Sequence, residues 1–123
     1  MRLEELEEGS PLRVFGEEIW DFIEELLGVT IDQPRGESEY HLVRRGDRHF
    51  LSFRFVGPMA RVFPQHSLIL YAPWGESFHN IPEIRRGERT WHNGPSAELG
   101  VQPEQGEIAR QFIHLAYDQV HGL

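Results

Sequence analysis

The spacing of apolar residues changes twice along this chain, and these changes constrain the fold more than any other feature of the sequence. Residues 12–26 place large apolar side chains three or four positions apart, residues 40–72 alternate apolar with polar, and residues 108–120 return to the helical spacing. A period near 3.6 is typical of an amphipathic helix, and a period of 2 is typical of a half-buried strand. The sequence therefore predicts a helix, a group of strands and a second helix, in that order.

Both predicted helices have recognisable limits. The first covers residues 10–28, with Ser10 as the N-cap, Pro11 at the first helical position and Gly28 at the C-terminal end. The second covers residues 103–121 and likewise begins with a proline. Each helix presents one apolar stripe, so each must bury that stripe against another layer.

The middle of the chain, residues 39–101, predicts an antiparallel sheet of four or five strands. Short connections favour antiparallel pairing, because a parallel pair needs a long crossover. The expected strands are residues 40–44, 49–55, 60–63, 66–72 and 96–101. Residues 66–72 are the most continuously apolar, so we expect them near the centre of the sheet. We expect residues 29–37 to form a loop and residues 73–95 to be irregular, with one short helical turn near residues 82–86.

These elements predict a single α+β domain of two layers, residues 1–123, in which the N- and C-terminal helices pack on one face of the antiparallel sheet. Residues 1–9 form an acidic lead-in to it. The chain has no cysteine, which excludes disulfides and thiolate chemistry. No apolar run approaches the ~20 residues of a membrane span and no signal peptide opens the sequence, so we expect a cytoplasmic protein.

Acidic and basic residues are distributed unevenly along the chain. The net charge is −8, and residues 1–34 carry ten carboxylates with two arginines, whereas residues 35–92 carry nine arginines with six carboxylates. Two of the three tryptophans and five of the seven histidines lie in the same middle segment. We therefore expect an anionic or aromatic ligand to bind there.

Motifs for catalysis or metal binding are absent from the sequence. G-x-S-x-G, Walker A, G-x-G-x-x-G and HExxH do not occur. His66, His79 and His92 recur every 13 residues, but that spacing defines no metal geometry. We expect no catalytic residue, no metal ion and no cofactor.

Three short motifs suggest a relative. V-F-P-Q-H-S-L-I-L-Y at residues 62–71, W-H-N-G at residues 91–94 and L-A-Y at residues 115–117 resemble, in this order, an uncharacterised bacterial domain. That domain is often labelled a predicted transport protein and occurs alone or attached to restriction-nuclease-like modules. The resemblance extends over most of residues 11–120, although His66 stands where a lysine is typical. It implies a compact α+β domain with no established catalytic residues.

From these observations we expect a non-enzymatic binding or interaction module with an arginine and aromatic surface in residues 40–93. The expected ligand-binding residues are Tyr40, Trp74, His79, Arg85, Arg86, Trp91, His92 and Asn93. The partner is expected to be a protein, a small anionic ligand or a second copy in a homodimer, and not a membrane.

Two alternatives remain open. One is a nucleic-acid-associated accessory domain, because arginines beside aromatic rings suit single-stranded nucleic acid, although a net charge of −8 lacks the usual basic footprint. The other is a small hydrolase-like enzyme that uses histidine and carboxylate side chains around residues 74–93.

Overall fold

The computed structural model describes residues 1–34, 36–57, 67–91 and 94–120, without the side chains of residues 88–91. These residues contain two α-helices, six strands and three short 3-10 turns. The helices are α1 (Pro11–Glu24) and α2 (Gly106–Gln119). The strands are β1 (Val29–Asp32), β2 (His41–Arg45), β3 (Arg48–Val56), β4 (Ser67–Pro73), β5 (Arg85–Trp91) and β6 (Gly94–Val101). The 3-10 turns are Leu3–Glu5, Glu76–Phe78 and Pro103–Gln105.

The strands described here form one antiparallel sheet in the order β1-β2-β3-β4-β6-β5. The apolar strand β4 lies in the interior, where Leu70 pairs with Phe53 of β3 on one side and Leu99 of β6 on the other. The predicted α+β class and the central position of this strand are confirmed. The sheet has six strands in the described residues, more than the four or five expected.

The main core lies between the two helices and one face of the sheet. Strand residues 51, 53 and 55 point into this core, as do Phe15 of α1 and Phe112 of α2. We call the opposite side of the sheet the far face. It carries Asp32, Arg44, His49, Ser52, Arg54 and Tyr71, because side chains alternate along each strand. A smaller apolar cluster on the far face joins Val56, Ile69, Tyr71 and Tyr40.

Two segments that the sequence predicts as irregular contain edge strands, so both predictions are wrong. Residues 29–37 include β1, which pairs with β2, and residues 73–95 include β5, which pairs with β6. The helical turn expected near residues 82–86 is absent, and the 3-10 turn lies earlier, at Glu76–Phe78. An edge strand is extended because its neighbour offers hydrogen bonds, even where its own sequence, such as R-R-G-E, is polar. The strand expected at residues 60–63 falls outside the described residues.

The N-terminal end of α1 lies where the sequence predicts it, whereas the C-terminal end of α1 and the N-terminal end of α2 do not. Ser10 caps α1 as expected, and its Oγ accepts a hydrogen bond of 3.2 Å from the backbone N–H of Arg13. The helix ends at Glu24, earlier than predicted, and Gly28 lies in the following turn with a positive φ of 78°. The second helix begins at Gly106, after a 3-10 turn, rather than at residue 103. No helix in the described residues is long and apolar enough to cross a membrane.

Candidate functional site

Among the residues that the structure describes, one pair of the predicted ligand-binding residues comes together. Arg86 lies over the ring of Trp74, with 5.5 Å between the guanidinium carbon and the ring centre. Arg85 sits on the other side of β5, where its Nη2 donates to Glu98 Oε2 at 2.9 Å. Tyr40 lies on the far face, 5.8 Å from the ring of Tyr71.

The remaining predicted residues are not part of this pair. His79 is exposed, and its side chain makes no hydrogen bond, ion pair or ring contact within the part of the chain that the structure describes. This solvent-facing ring argues against a catalytic His79. The side chain of Trp91, and the whole of His92 and Asn93, lie outside the described residues.

Instead, a histidine–carboxylate pair forms on the far face, between β1 and β3. The carboxylate of Asp32 accepts from Arg44 Nε through Oδ1 at 2.9 Å and lies 2.7 Å from His49 Nε2 through Oδ2. The hydrogen bond from Arg44, and then that from His49, lower the pKa of Asp32 below its ordinary value of 3.8. Asp32 is therefore an ionised acceptor at neutral pH, so His49 Nε2 carries the proton in this bond.

A bulge in β3 creates this pair. Val43 is opposite Leu51 and Arg44 is opposite His49, so Phe50 is an extra residue with no partner on β2. In a regular strand His49 would share the core side with Leu51, two positions away. The extra residue moves His49 to the far face, on the same side as Arg44.

An open cleft of about 790 Å³ lies over this pair, and we call it the Asp32 cleft. Its lining combines the charged group with apolar and hydroxyl side chains. The lining residues are Asp32, Gln33, Pro34, Ser38, Tyr40, Leu42, Arg44 and His49. Leu42 keeps 41% of its surface exposed, so the cleft offers an apolar wall to a ligand.

A second open cleft, of about 730 Å³, lies at the end of β4 next to the C-terminal end of α2, and we call it the Trp74 cleft. Its lining residues are Asp47, Arg48, His49, Pro73, Trp74, Gln119 and Val120. His49 therefore lies in the wall of both clefts.

The wall of the Trp74 cleft is fixed by specific contacts. The backbone N–H of Trp74 donates to the carbonyl of Pro95 at 2.9 Å, and Gln119 Nε2 donates to the carbonyl of Pro73 at 3.1 Å. The ring of Trp74 also packs 6.0 Å from the buried ring of Phe78. These contacts hold the indole in place before any ligand binds, which lowers the entropic cost of binding.

Most arginines near the clefts already have partners. Arg44 pairs with Asp32, and Arg54 Nη1 lies 3.6 Å from Glu39. Arg45 donates to two carbonyls at the end of α2 and lies 4.1 Å from the ring of Tyr117. The carboxylate partners belong to strands and loops, rather than to the acidic helices.

Arg48 and Arg86 differ from these arginines. Both are exposed, and neither forms an ion pair with any carboxylate in the described ranges. Arg48 lines the Trp74 cleft, and Arg86 contacts the indole of that cleft. Positive charge without an ion-pair partner and an aromatic ring held in place by protein are therefore found at the same cleft.

The sequence predicts Trp74 and Arg86 as ligand contacts, but not Asp32 or His49. The strand that contains Asp32 could have been predicted, because V-T-I-D at residues 29–32 alternates with the period of a strand. For His49 no signal existed, since the bulge that moves it depends on pairing with β2. Among the described residues, no group of three or more histidine or carboxylate side chains could hold a metal ion.

No family model, no curated protein and no solved structure matches this chain. The resemblance to the bacterial domain therefore rests on the sequence motifs and stays a prediction. Function has to be inferred from the chemistry of the two clefts.

Proposed function

We propose that this chain is a binding module whose Trp74 cleft holds a small anionic ligand with a planar ring system, without transforming it. One observation carries the proposal: Arg86 lies over Trp74 with 5.5 Å between the guanidinium carbon and the ring centre, Arg48 lines the same cleft as Trp74, and neither arginine has a carboxylate partner in the described residues. A guanidinium group next to an indole can hold both the charge and the ring of one ligand.

The cleft suits a small molecule better than a polymer. A volume of about 730 Å³ lies in the range of small-molecule sites. Asp47, in the same wall, adds an acceptor for a hydroxyl or amino group of the ligand. A long nucleic acid would need a continuous basic track, whereas Arg44, Arg54 and Arg85 are paired with carboxylates.

Calorimetric titration tests this proposal with four probes. AMP and 1-naphthalenesulfonate carry both a planar ring and a negative charge, adenosine carries the ring alone, and inorganic phosphate carries the charge alone. We expect the two planar anions to bind more tightly than adenosine or phosphate, because only they use both parts of the cleft. Absence of binding by both planar anions would contradict the proposal.

A matched pair of variants locates the site. Arg86→Ala should weaken binding by about fivefold to tenfold, since it removes the charge and the stacked guanidinium. Arg110→Ala is the control, because Arg110 also lies over a ring, 5.8 Å from Phe22, but between the helices. Equal losses in both variants would show that only net charge matters.

A further inference from the structure

We propose that the Asp32 cleft is a separate catalytic site, in which His49 acts as a general base in the hydrolysis of small uncharged esters with an apolar or aromatic group. This inference goes beyond the binding function of the Trp74 cleft and does not depend on it. It rests on the 2.7 Å contact between His49 and Asp32, the cleft above them, and the chemistry of the cleft wall.

The Asp32 contact determines which nitrogen of His49 can take a proton. Nε2 donates to the carboxylate, so the neutral ring keeps its lone pair on Nδ1. Nδ1 has no hydrogen-bond partner among the residues that the structure describes. Asp32 thus fixes the tautomer and the ring orientation, as an orienting carboxylate does for a general base.

The exposure of the pair is suited to this role. The side chains of His49 and Asp32 keep 36% and 31% of their surface exposed, so a substrate can reach the ring while protein covers most of it. The developing positive charge of the imidazole is stabilised by the adjacent carboxylate. Arg44 keeps Asp32 ionised throughout.

The wall of the cleft indicates the substrate class. Leu42, Pro34 and Tyr40 offer apolar and aromatic surface to a substrate. The charge of Arg44 is already balanced by Asp32, so an anionic substrate gains little. Arg44 donates through Nε to Asp32 and through Nη1 to the carbonyl of Gly46, which leaves Nη2 to donate to an oxygen on which negative charge develops.

The reaction needs water as its only co-reactant. A water oxygen attacks the ester carbonyl carbon while its proton passes to His49 Nδ1, and the carbonyl π electrons move to oxygen. The tetrahedral intermediate then re-forms the C=O bond and breaks the bond to the leaving oxygen. That oxygen departs with the bonding electrons and takes the proton from His49, which gives a carboxylic acid and an alcohol.

The test measures hydrolysis of p-nitrophenyl acetate by the full chain, with the spontaneous rate subtracted. His49→Gln keeps an N–H that can donate to Asp32 but provides no base, and His49→Ala removes both. We expect each variant to lower kcat by about 100-fold. Circular dichroism checks that both variants keep the wild-type fold.

Comparing variants at two histidines distinguishes a specific catalytic site from the activity of any exposed imidazole. His79 is exposed and its side chain forms no ion pair with a carboxylate in the described structure, so His79→Ala should leave the rate unchanged. If His79→Ala lowers the rate as much as His49→Ala does, the activity belongs to any exposed imidazole and the inference is overturned. A wild-type rate equal to that of His49→Gln overturns it as well.

Asp32 is expected to act as a positioning residue. Asp32→Asn should lower kcat by about tenfold or more at an unchanged KM, because the amide no longer fixes the tautomer. An unchanged kcat would remove Asp32 from the mechanism and would contradict the inference. Asp32→Asn also distinguishes the two proposals, since Asp32 lines the Asp32 cleft but not the Trp74 cleft, so this variant should leave AMP binding intact.

Discussion

The two faces of the sheet bury their side chains by different means. The helix-covered face is apolar, with His41 as its one polar residue among the buried side chains described there. The far face buries Ser52, Ser67 and Ser96 and holds three arginine–carboxylate pairs. Apolar packing is non-directional, whereas each polar pair requires two particular residues to meet. The first face therefore stabilises the fold, and the second carries the histidine–carboxylate pair of the Asp32 cleft, whereas the Trp74 cleft lies at the end of the sheet next to α2.

The comparison predicts that alanine substitutions at two neighbouring residues of β4 lower the free energy of unfolding by different amounts. Leu70 is fully buried in the main core, and Ile69 is 1% exposed in the small far-face cluster. Leu70→Ala should lower the free energy of unfolding by about 4 kcal/mol and Ile69→Ala by about 2 kcal/mol, because the smaller cluster can collapse around the lost volume. Urea unfolding measures both. Equal costs, or the reverse order, would show that the far face is an equivalent core.

A glycine tests how closely α1 approaches the sheet. A Cβ at Gly16 would lie 2.8 Å from the ring of Phe55 and 2.8 Å from Leu3 Cδ1, so Gly16→Ala should cost about 1–3 kcal/mol of stability. Gly106→Ala is the matched helical control. There the closest atom is Arg110 Nη1 at 2.6 Å, the movable end of a side chain. The control should be neutral or stabilising, and a comparable loss in both variants would argue against close helix–sheet packing.

Acid should affect the two faces in different pH ranges. His41 is 1% exposed and stacks 4.9 Å from Phe53, and this burial lowers its pKa below 6.5. The unfolded chain then binds a proton that the folded chain does not, so stability is complete above pH 6.5 and falls below it. The pKa of Asp32 is lowered from 3.8, so its contribution persists above that pH and is lost only as the pH falls further.

A variant isolates the contribution of His41. The Nε2 of His41 accepts from the backbone N–H of Leu3 at 3.1 Å, and a glutamine at this position keeps an acceptor but does not titrate. His41→Gln should therefore remove up to about 1.4 kcal/mol per pH unit from the slope of stability against pH just below 6.5. Urea unfolding across mildly acidic pH measures this slope. An identical slope in both proteins would mean that His41 titrates normally.

The same division explains what could be predicted from the sequence. Apolar positions that repeat along the chain are visible in the local sequence. The helical stripes that contain Phe15 and Phe112, and the strand that contains Leu70, could therefore be predicted. The histidine–carboxylate pair on the far face depends on a contact between distant residues: Asp32 and His49 are 17 positions apart, and they meet because of an extra residue, Phe50. Periodicity contains no information on which strands pair or where a bulge falls.

The smallest effect should come from an exposed carboxylate on the far face. Arg54 Nη1 lies 3.6 Å from Glu39 Oε2, and the side chain of Glu39 keeps 52% of its surface exposed. Because water and salt screen such a pair, Glu39→Gln should lower the free energy of unfolding by less than about 1 kcal/mol, and less still in high salt. Arg54 would keep its hydrogen bond to the Tyr71 hydroxyl at 3.3 Å and its contact with the Tyr40 ring at 5.3 Å. A loss above about 2 kcal/mol in urea unfolding would mean that the pair is shielded from solvent. In that case charge pairs, as well as the small apolar cluster, would stabilise the far face.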